Sequence, residues 1–117
     1  MGKFAISRAS LRVGEVVLVS FPFSNLQGQK VRPALVLAKA ELDDLILCQI
    51  TSRPYTSKLA IRIRLDDFTK GSLPVVSYVR PNKLFTANSS IIKKTAGQLT
   101  LTVTKSILKS VRSLFIL

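Results

Sequence analysis

The chain is predicted to be an α+β protein, mainly β: a small twisted or barrel-like antiparallel sheet with one C-terminal helix packed on it. Three observations lead there. Many short β-branched runs are separated by Pro, Gly, Asn and Asp, as strands between turns are. No helical pattern alternates with those runs, which excludes a parallel βαβ sheet. Only the last stretch carries an apolar period of three and four residues. The 117 residues suit one core, because single domains peak at about 100 to 150 residues. Residues 1–12 read as a basic leader and 13–117 as a single domain.

The leader holds Lys3, Arg8 and Arg12 among scattered apolar residues with no period. The run Glu15-Val16-Val17-Leu18-Val19-Ser20-Phe21 is β-branched and aromatic and meets Pro22, as a strand entering a loop does. Residues 24–30 are polar with one glycine and too long for a tight hairpin, the kind of loop on which sites are mounted. Residues 31–37 form a second strand. Pro33 removes a ladder donor and biases Arg32 toward extended geometry, which puts the guanidinium at a loop–strand junction.

A turn at Leu42-Asp43-Asp44 precedes a strand over 45–51, and Ser52-Arg53-Pro54 breaks the chain again. Residues 59–65 alternate strictly, giving one apolar face and one basic face with Arg62 and Arg64. Residues 66–71 read as a short helical turn or loop closed by Gly71, 73–79 as strand, and Arg80-Pro81-Asn82 as a further break. Short strands at 83–86 and 91–94 flank an Asn88-Ser89-Ser90 turn. Ile107, Leu108, Val111, Leu114 and Phe115 mark the helix, with Lys105, Lys109 and Arg112 opposite and Thr102 or Thr104 as N-cap.

Eighteen Lys and Arg against six acids leave a net charge of +12, and the eight bases from Phe68 onward face no acid at all. With 47% apolar residues this is a folded cationic chain rather than a disordered basic tail. A polyanion-binding surface is the expected consequence. The absence of histidine removes imidazole acid–base pairs, Ser-His-Asp triads and histidine metal sites. The pairs Asp43-Asp44 and Asp66-Asp67 sit in turn contexts and read as caps or turn formers rather than a metal site or catalytic dyad, so neither metal nor cofactor is expected. The single Cys48 lies in an apolar run, reads as a buried hydrophobe, and suits a reducing cytoplasm. No apolar run approaches the roughly 20 residues of a bilayer crossing, nor is there a signal-peptide pattern, so a cytoplasmic location is expected.

Chemistry must then come from Arg, Lys, Thr, Ser, Tyr and Asn. RNA carries its own nucleophile, the 2′-hydroxyl, so a site that aligns it with the adjacent phosphate and stabilises the anionic transition state can cleave without histidine or metal. Arg32 at its junction, and Thr51 with Ser52 at the end of the following strand, suit that role: arginine grips phosphate through a planar fork, and threonine is a stiff hydrogen-bonding group.

Over about residues 13–116 the sequence resembles the MazF/PemK family of toxin endoribonucleases. The resemblance lies in Gly14-Glu15-Val16-Val17-Leu18-Val19, Val31-Arg32-Pro33-Ala34-Leu35-Val36-Leu37, Ile50-Thr51-Ser52, Lys83-Leu84-Phe85-Thr86-Ala87-Asn88, and Gly97 with Leu99 before the helix. It implies an SH3-like barrel of the PemK/CcdB type, a homodimer, and metal-independent cleavage of single-stranded RNA or mRNA at short sequences. Products would be a 2′,3′-cyclic phosphate and a 5′-hydroxyl. Arg32 matches the catalytic arginine, donating to the scissile phosphate and acting as general acid, and Thr51 the threonine that positions the phosphate. Phe21, Gln29, Lys30, Ser52, Arg53, Arg80, Asn82 and Lys83 are the candidate RNA contacts, and Phe21 and Phe23 read either as base-stacking residues near the loop mouth or as core.

The implied partners are RNA and a MazE-like antitoxin with an acidic tail, with operator DNA reached only through the antitoxin complex. Two departures stand out: Asn82 replaces the acid of an Arg-x-Asp arrangement found in some members, and Phe85 replaces an arginine. They point to a toxin that has lost activity and works as a repressor or decoy, while the implied fold keeps open a different class, a non-catalytic barrel that either poisons a protein target as CcdB-like toxins do or binds nucleic acid as a module or repressor.

Overall fold

In the computed structural model, which describes residues 11–22 and 29–117, with 21, 22 and 29 as backbone only, the strand-forming runs become β1 (Glu15–Pro22), β2 (Gln29–Lys39), β3 (Asp44–Thr51), β4 (Ile61–Ile63), β5 (Phe68–Gly71), β6 (Ser77–Asn88) and β7 (Ile92–Leu99). The terminal period becomes the single α-helix, α1 (Leu101–Arg112). The strands form one antiparallel sheet in the order β4-β6-β3-β2-β1-β7-β5, curled into a half-barrel with β4 and β5 at its two edges. This is the mainly β architecture with one C-terminal helix that the sequence predicts.

The apolar runs of β1, β2 and β3 do not alternate with polar residues because both faces of those strands are covered. On one face Val16, Leu35, Cys48, Ile50, Val79 and Leu99 pack beneath Ile107 of α1. On the other, Leu11, Val17, Val19, Ala34, Val36, Leu45 and Leu47 form a second cluster, joined by Phe85 and Ala87. Neighbours in sequence therefore belong to opposite clusters, as the pleat requires. Cys48 is buried as expected, and burial pushes its thiol up to about 12. The buried Leu11 shows that the chain is already anchored two residues before Val13.

Three of the six acids hold backbone or turns. Glu15 accepts from the Arg12 amide at 2.8 Å and from the Thr95 hydroxyl at 3.1 Å. The Asn88 amide donates to Asp44 Oδ1 and to the Leu42 carbonyl, both at 3.1 Å, tying the β2–β3 turn to the end of β6. Asp67 Oδ2 accepts from the Arg64 amide at 2.7 Å. The reading of the Asp pairs as turn formers or caps thus applies to Asp44 and Asp67.

Several boundaries differ from the sequence reading. Arg80-Pro81-Asn82 is no break: β6 runs through it, and the pairing with β3 steps from Cys48↔Leu84 to Gln49↔Arg80. Pro81, Asn82 and Lys83 form a bulge of three extra residues, and Pro81 lies where the skipped ladder requires no donor. Of residues 59–65 only Ile61–Ile63 pair, because a 3₁₀ turn at Leu65–Asp67 takes over; Ile63 is buried and Arg62 and Arg64 are exposed, so the predicted faces survive in a shorter strand. Phe68–Gly71, read as turn or loop, pairs with β7. Gly71 adopts φ +73 where a Cβ would overlap the Ala96 carbonyl. The N-cap of α1 is Thr100, whose Oγ1 accepts from the Val103 amide at 3.2 Å, rather than Thr102 or Thr104. The helix ends at Arg112, leaving Leu114 and Phe115 beyond it.

Candidate nucleic-acid interface

Alternation along the second face continues past the apolar cluster. On β2 it runs from Val36 and Ala34 to Arg32 and Lys30, and on β3 from Leu45 and Leu47 to Gln49 and Thr51. On β6 it runs from Ala87 and Phe85 toward the bulge. An odd number of inserted residues reverses the phase of a strand, so Arg80, which would otherwise face the helix side with Leu84, instead stands opposite Gln49. Three strands that supply core at one end of this face supply polar and cationic side chains at the other.

These side chains line a groove of about 700 Å³ formed by Lys30, Arg32, Pro33, Gln49, Ile50, Thr51, Ser52, Arg53, Tyr55 and Arg80. Six of the ten residues proposed from sequence meet there: Lys30, Arg32, Thr51, Ser52, Arg53 and Arg80. Asn82 and Lys83 do not line it; both are exposed in the bulge. The side chains of Phe21 and Gln29, and Phe23 altogether, lie outside the described residues. Gln49 and Tyr55 are groove residues that the sequence reading did not name. A polar Gln49 inside the run Leu45-Ile46-Leu47-Cys48-Gln49-Ile50 was the available signal for the first.

Arg32 is the fourth residue of β2 and pairs with Val19, so it lies inside a strand rather than at a loop–strand junction. The ladder to β3 begins only at Ala34, however, so Arg32 and Pro33 stand beside β1 alone, and a residue without an N–H is tolerated there. Continuing the β2–β3 register two residues past Ala34↔Gln49 brings Arg32 level with Thr51. The Thr51 hydroxyl accepts from the Arg53 amide at 3.0 Å, which fixes its rotamer and turns the chain after β3. Arg80 is half-buried with its Nε enclosed and without a hydrogen-bond partner among the described residues.

The groove thus carries four cations, Lys30, Arg32, Arg53 and Arg80, and no acidic side chain among its lining residues. A buried guanidinium nitrogen without an acceptor is unfavourable, and an anion would satisfy it. Among the described residues no group of three His, Cys, Asp or Glu gathers as a metal site, and no helix is long and apolar enough to cross a membrane.

The family model described as the PemK-like, MazF-like toxin of type II toxin-antitoxin systems matches residues 12–115. The chain belongs to this family. Solved structures share its fold at low sequence identity. A MazE-MazF complex from Deinococcus radiodurans superposes with a TM-score of 0.70 at 19% identity, covering 89% of this chain and 94% of that one. An endoribonuclease in complex with its cognate antitoxin from a mycobacterial species gives 0.64 at 15% identity, covering 92% and 100%. The Mycobacterium tuberculosis toxin MazF-mt6 gives 0.58 at 15%, covering 81% and 90%. No curated protein sequence matches the chain. Within the PemK/MazF frame, the departure at Phe85 has a structural counterpart: that side chain packs onto the apolar cluster rather than into the groove.

Proposed function

We propose that this PemK/MazF-family chain is a sequence-specific endoribonuclease that cleaves single-stranded RNA without a metal ion, acting as the toxin of a type II toxin-antitoxin pair. The observation that carries the reading is the convergence of Arg32, Thr51 and Arg80 in one acid-free groove. In the proposed reaction the RNA 2′-oxygen forms a bond to the adjacent phosphorus and the bond from phosphorus to the 5′-oxygen breaks. The 2′-hydroxyl loses its proton and the leaving 5′-oxygen gains one, giving a 2′,3′-cyclic phosphate and a 5′-hydroxyl. Arg32 donates to the scissile phosphate and lowers the barrier as negative charge grows. Thr51, its rotamer set by the Arg53 amide, aligns the phosphate, and alignment alone can remove a large part of the barrier. Lys30, Ser52, Arg53 and Arg80 hold the flanking chain. The same cationic groove suits the acidic tail of an antitoxin, which would compete with RNA for it; the antitoxin and a second copy of the chain are the proposed partners.

Incubation of the purified chain with a diverse pool of single-stranded RNA in EDTA tests this. Cleavage ending in 2′,3′-cyclic phosphates is expected, abolished by Arg32→Ala and Thr51→Ala with the fold intact by circular dichroism. Absence of cleavage across the pool would remove the nuclease reading. Binding without cleavage would favour a non-catalytic nucleic-acid module.

A further inference from the structure

Tyr55 lines the groove, yet no described residue accounts for it. It is 81% exposed, so its ring contributes little to packing. No hydrogen bond or ring contact with a described residue engages its side chain. Its backbone is also strained: φ is 54°, within a turn closed by the Ser57 amide donating to the Pro54 carbonyl at 3.0 Å. The first central residue of a turn with positive φ is a place for Gly, Asn or Asp, where a bulky side chain meets steric resistance. Strain retained without a packing benefit is found at sites that a ligand uses.

The ligand that fits has a flat face next to negative charge. The groove offers Lys30, Arg32, Arg53 and Arg80 for phosphates and one aromatic ring that no described residue engages, the combination with which proteins hold unpaired nucleic-acid strands. In RNA an unstacked base exposes a π-face beside its own phosphate. Thr51 ends β3 only four residues before Tyr55, and both line the groove. We infer that Tyr55 is the stacking platform for a nucleobase adjacent to the scissile phosphate, which makes the turn after β3 a determinant of which RNA sequences are cut. This rests on the reading of the groove as an RNA site.

Two substitutions separate the ring from the backbone. Tyr55→Gly fits the positive φ better than tyrosine does and removes the ring; Tyr55→Phe keeps the ring and removes the hydroxyl. The expected result is that Tyr55→Gly keeps or raises the melting temperature while kcat/KM on a preferred RNA falls about tenfold or more, whereas Tyr55→Phe stays within about twofold. An RNA abasic at the stacked position should lose as much with the unsubstituted chain, and no more with Tyr55→Gly. Unchanged kcat/KM in Tyr55→Gly, failure of Tyr55→Phe to preserve it, or additive losses with the abasic RNA would each overturn the inference.

A second readout does not need cleavage. The chain has two tyrosines and no tryptophan, so in Tyr78→Phe the tyrosine fluorescence comes from Tyr55 alone. Titration with a non-cleavable 2′-O-methyl oligonucleotide should quench it, and an abasic backbone of equal length should not. Binding without quenching overturns the stacking role. Quenching without cleavage of any RNA would instead remove the nuclease reading and uphold the stacking site.

Discussion

At one end of the sheet face opposite the helix, Ala34, Val36, Leu45 and Leu47 pack with Phe85 into a closed cluster, while two to four residues further along the same strands Arg32, Lys30, Gln49 and Thr51 line an open groove. Side-chain phase is shared along each strand; the residue types differ, and at the groove end β2 has left its ladder with β3. The comparison teaches that the site is built by continuing a core face beyond the point where apolar residues stop. Its precision is borrowed from the packed end, since the strands that hold Arg32 and Thr51 are clamped a few residues away. Arg80 joins by a different route, the phase reversal of the β6 bulge.

The largest expected effect tests whether the two ends differ in kind. Leu47→Ala should lower the unfolding free energy by about 2–5 kcal/mol, read by urea denaturation. Arg32→Ala on the same face should leave stability within about 0.5 kcal/mol and reduce RNA cleavage about 10²- to 10³-fold. A destabilisation of Arg32→Ala comparable to that of Leu47→Ala would make the groove end part of the core and dissolve the distinction. Next in size, Arg80→Gln should weaken RNA binding and make the slope of log affinity against log salt shallower by about 0.7, one phosphate contact on a single strand. An unchanged slope would take Arg80 out of the interface.

How much of this was legible in the sequence follows from the same geometry. Arg32 and Thr51 could be read because each is a polar residue on an apolar strand, flanked by Pro33 or Ser52. Arg80 could be read only as a charge. Pro81 beside it has the local form of a strand terminator, and nothing nearby in sequence shows that β3 will skip three residues and carry β6 through. The N-cap escaped for a similar reason: Thr100 is fixed by its own amide donating to the Asp67 carbonyl at 2.8 Å, a contact between elements distant in sequence. Tyr55 was invisible because an exposed aromatic after Pro54 gains meaning only when the turn places it on the groove wall.

A smaller effect compares adjacent residues of β3. Cys48 faces the helix-side cluster and Gln49 the groove. Burial raises the Cys48 thiol to about 12, so the folded state disfavours the thiolate. The stability linked to this group is whole below the ordinary cysteine pKa and is lost as pH rises through about 12. At pH 8 the native chain should react with iodoacetamide at least about tenfold more slowly than the chain in urea, by mass spectrometry. Equal rates would mean that the helix-side face opens as readily as the groove.

The smallest expected effect concerns Lys83. It carries the same charge as Lys30 and belongs to the bulge that turns Arg80 into the groove, yet it is exposed and does not line the groove. If bulk charge set RNA affinity, removing either lysine would count equally, since solvent-exposed cations act on a polyanion mainly through the long-range field. If the groove geometry sets it, Lys83→Ala should change kcat/KM by less than about twofold while Lys30→Ala weakens binding by about the contribution of one phosphate contact. Equal losses for the two variants at physiological ionic strength would shift the explanation from a built groove at one end of the sheet face to an undirected cationic surface.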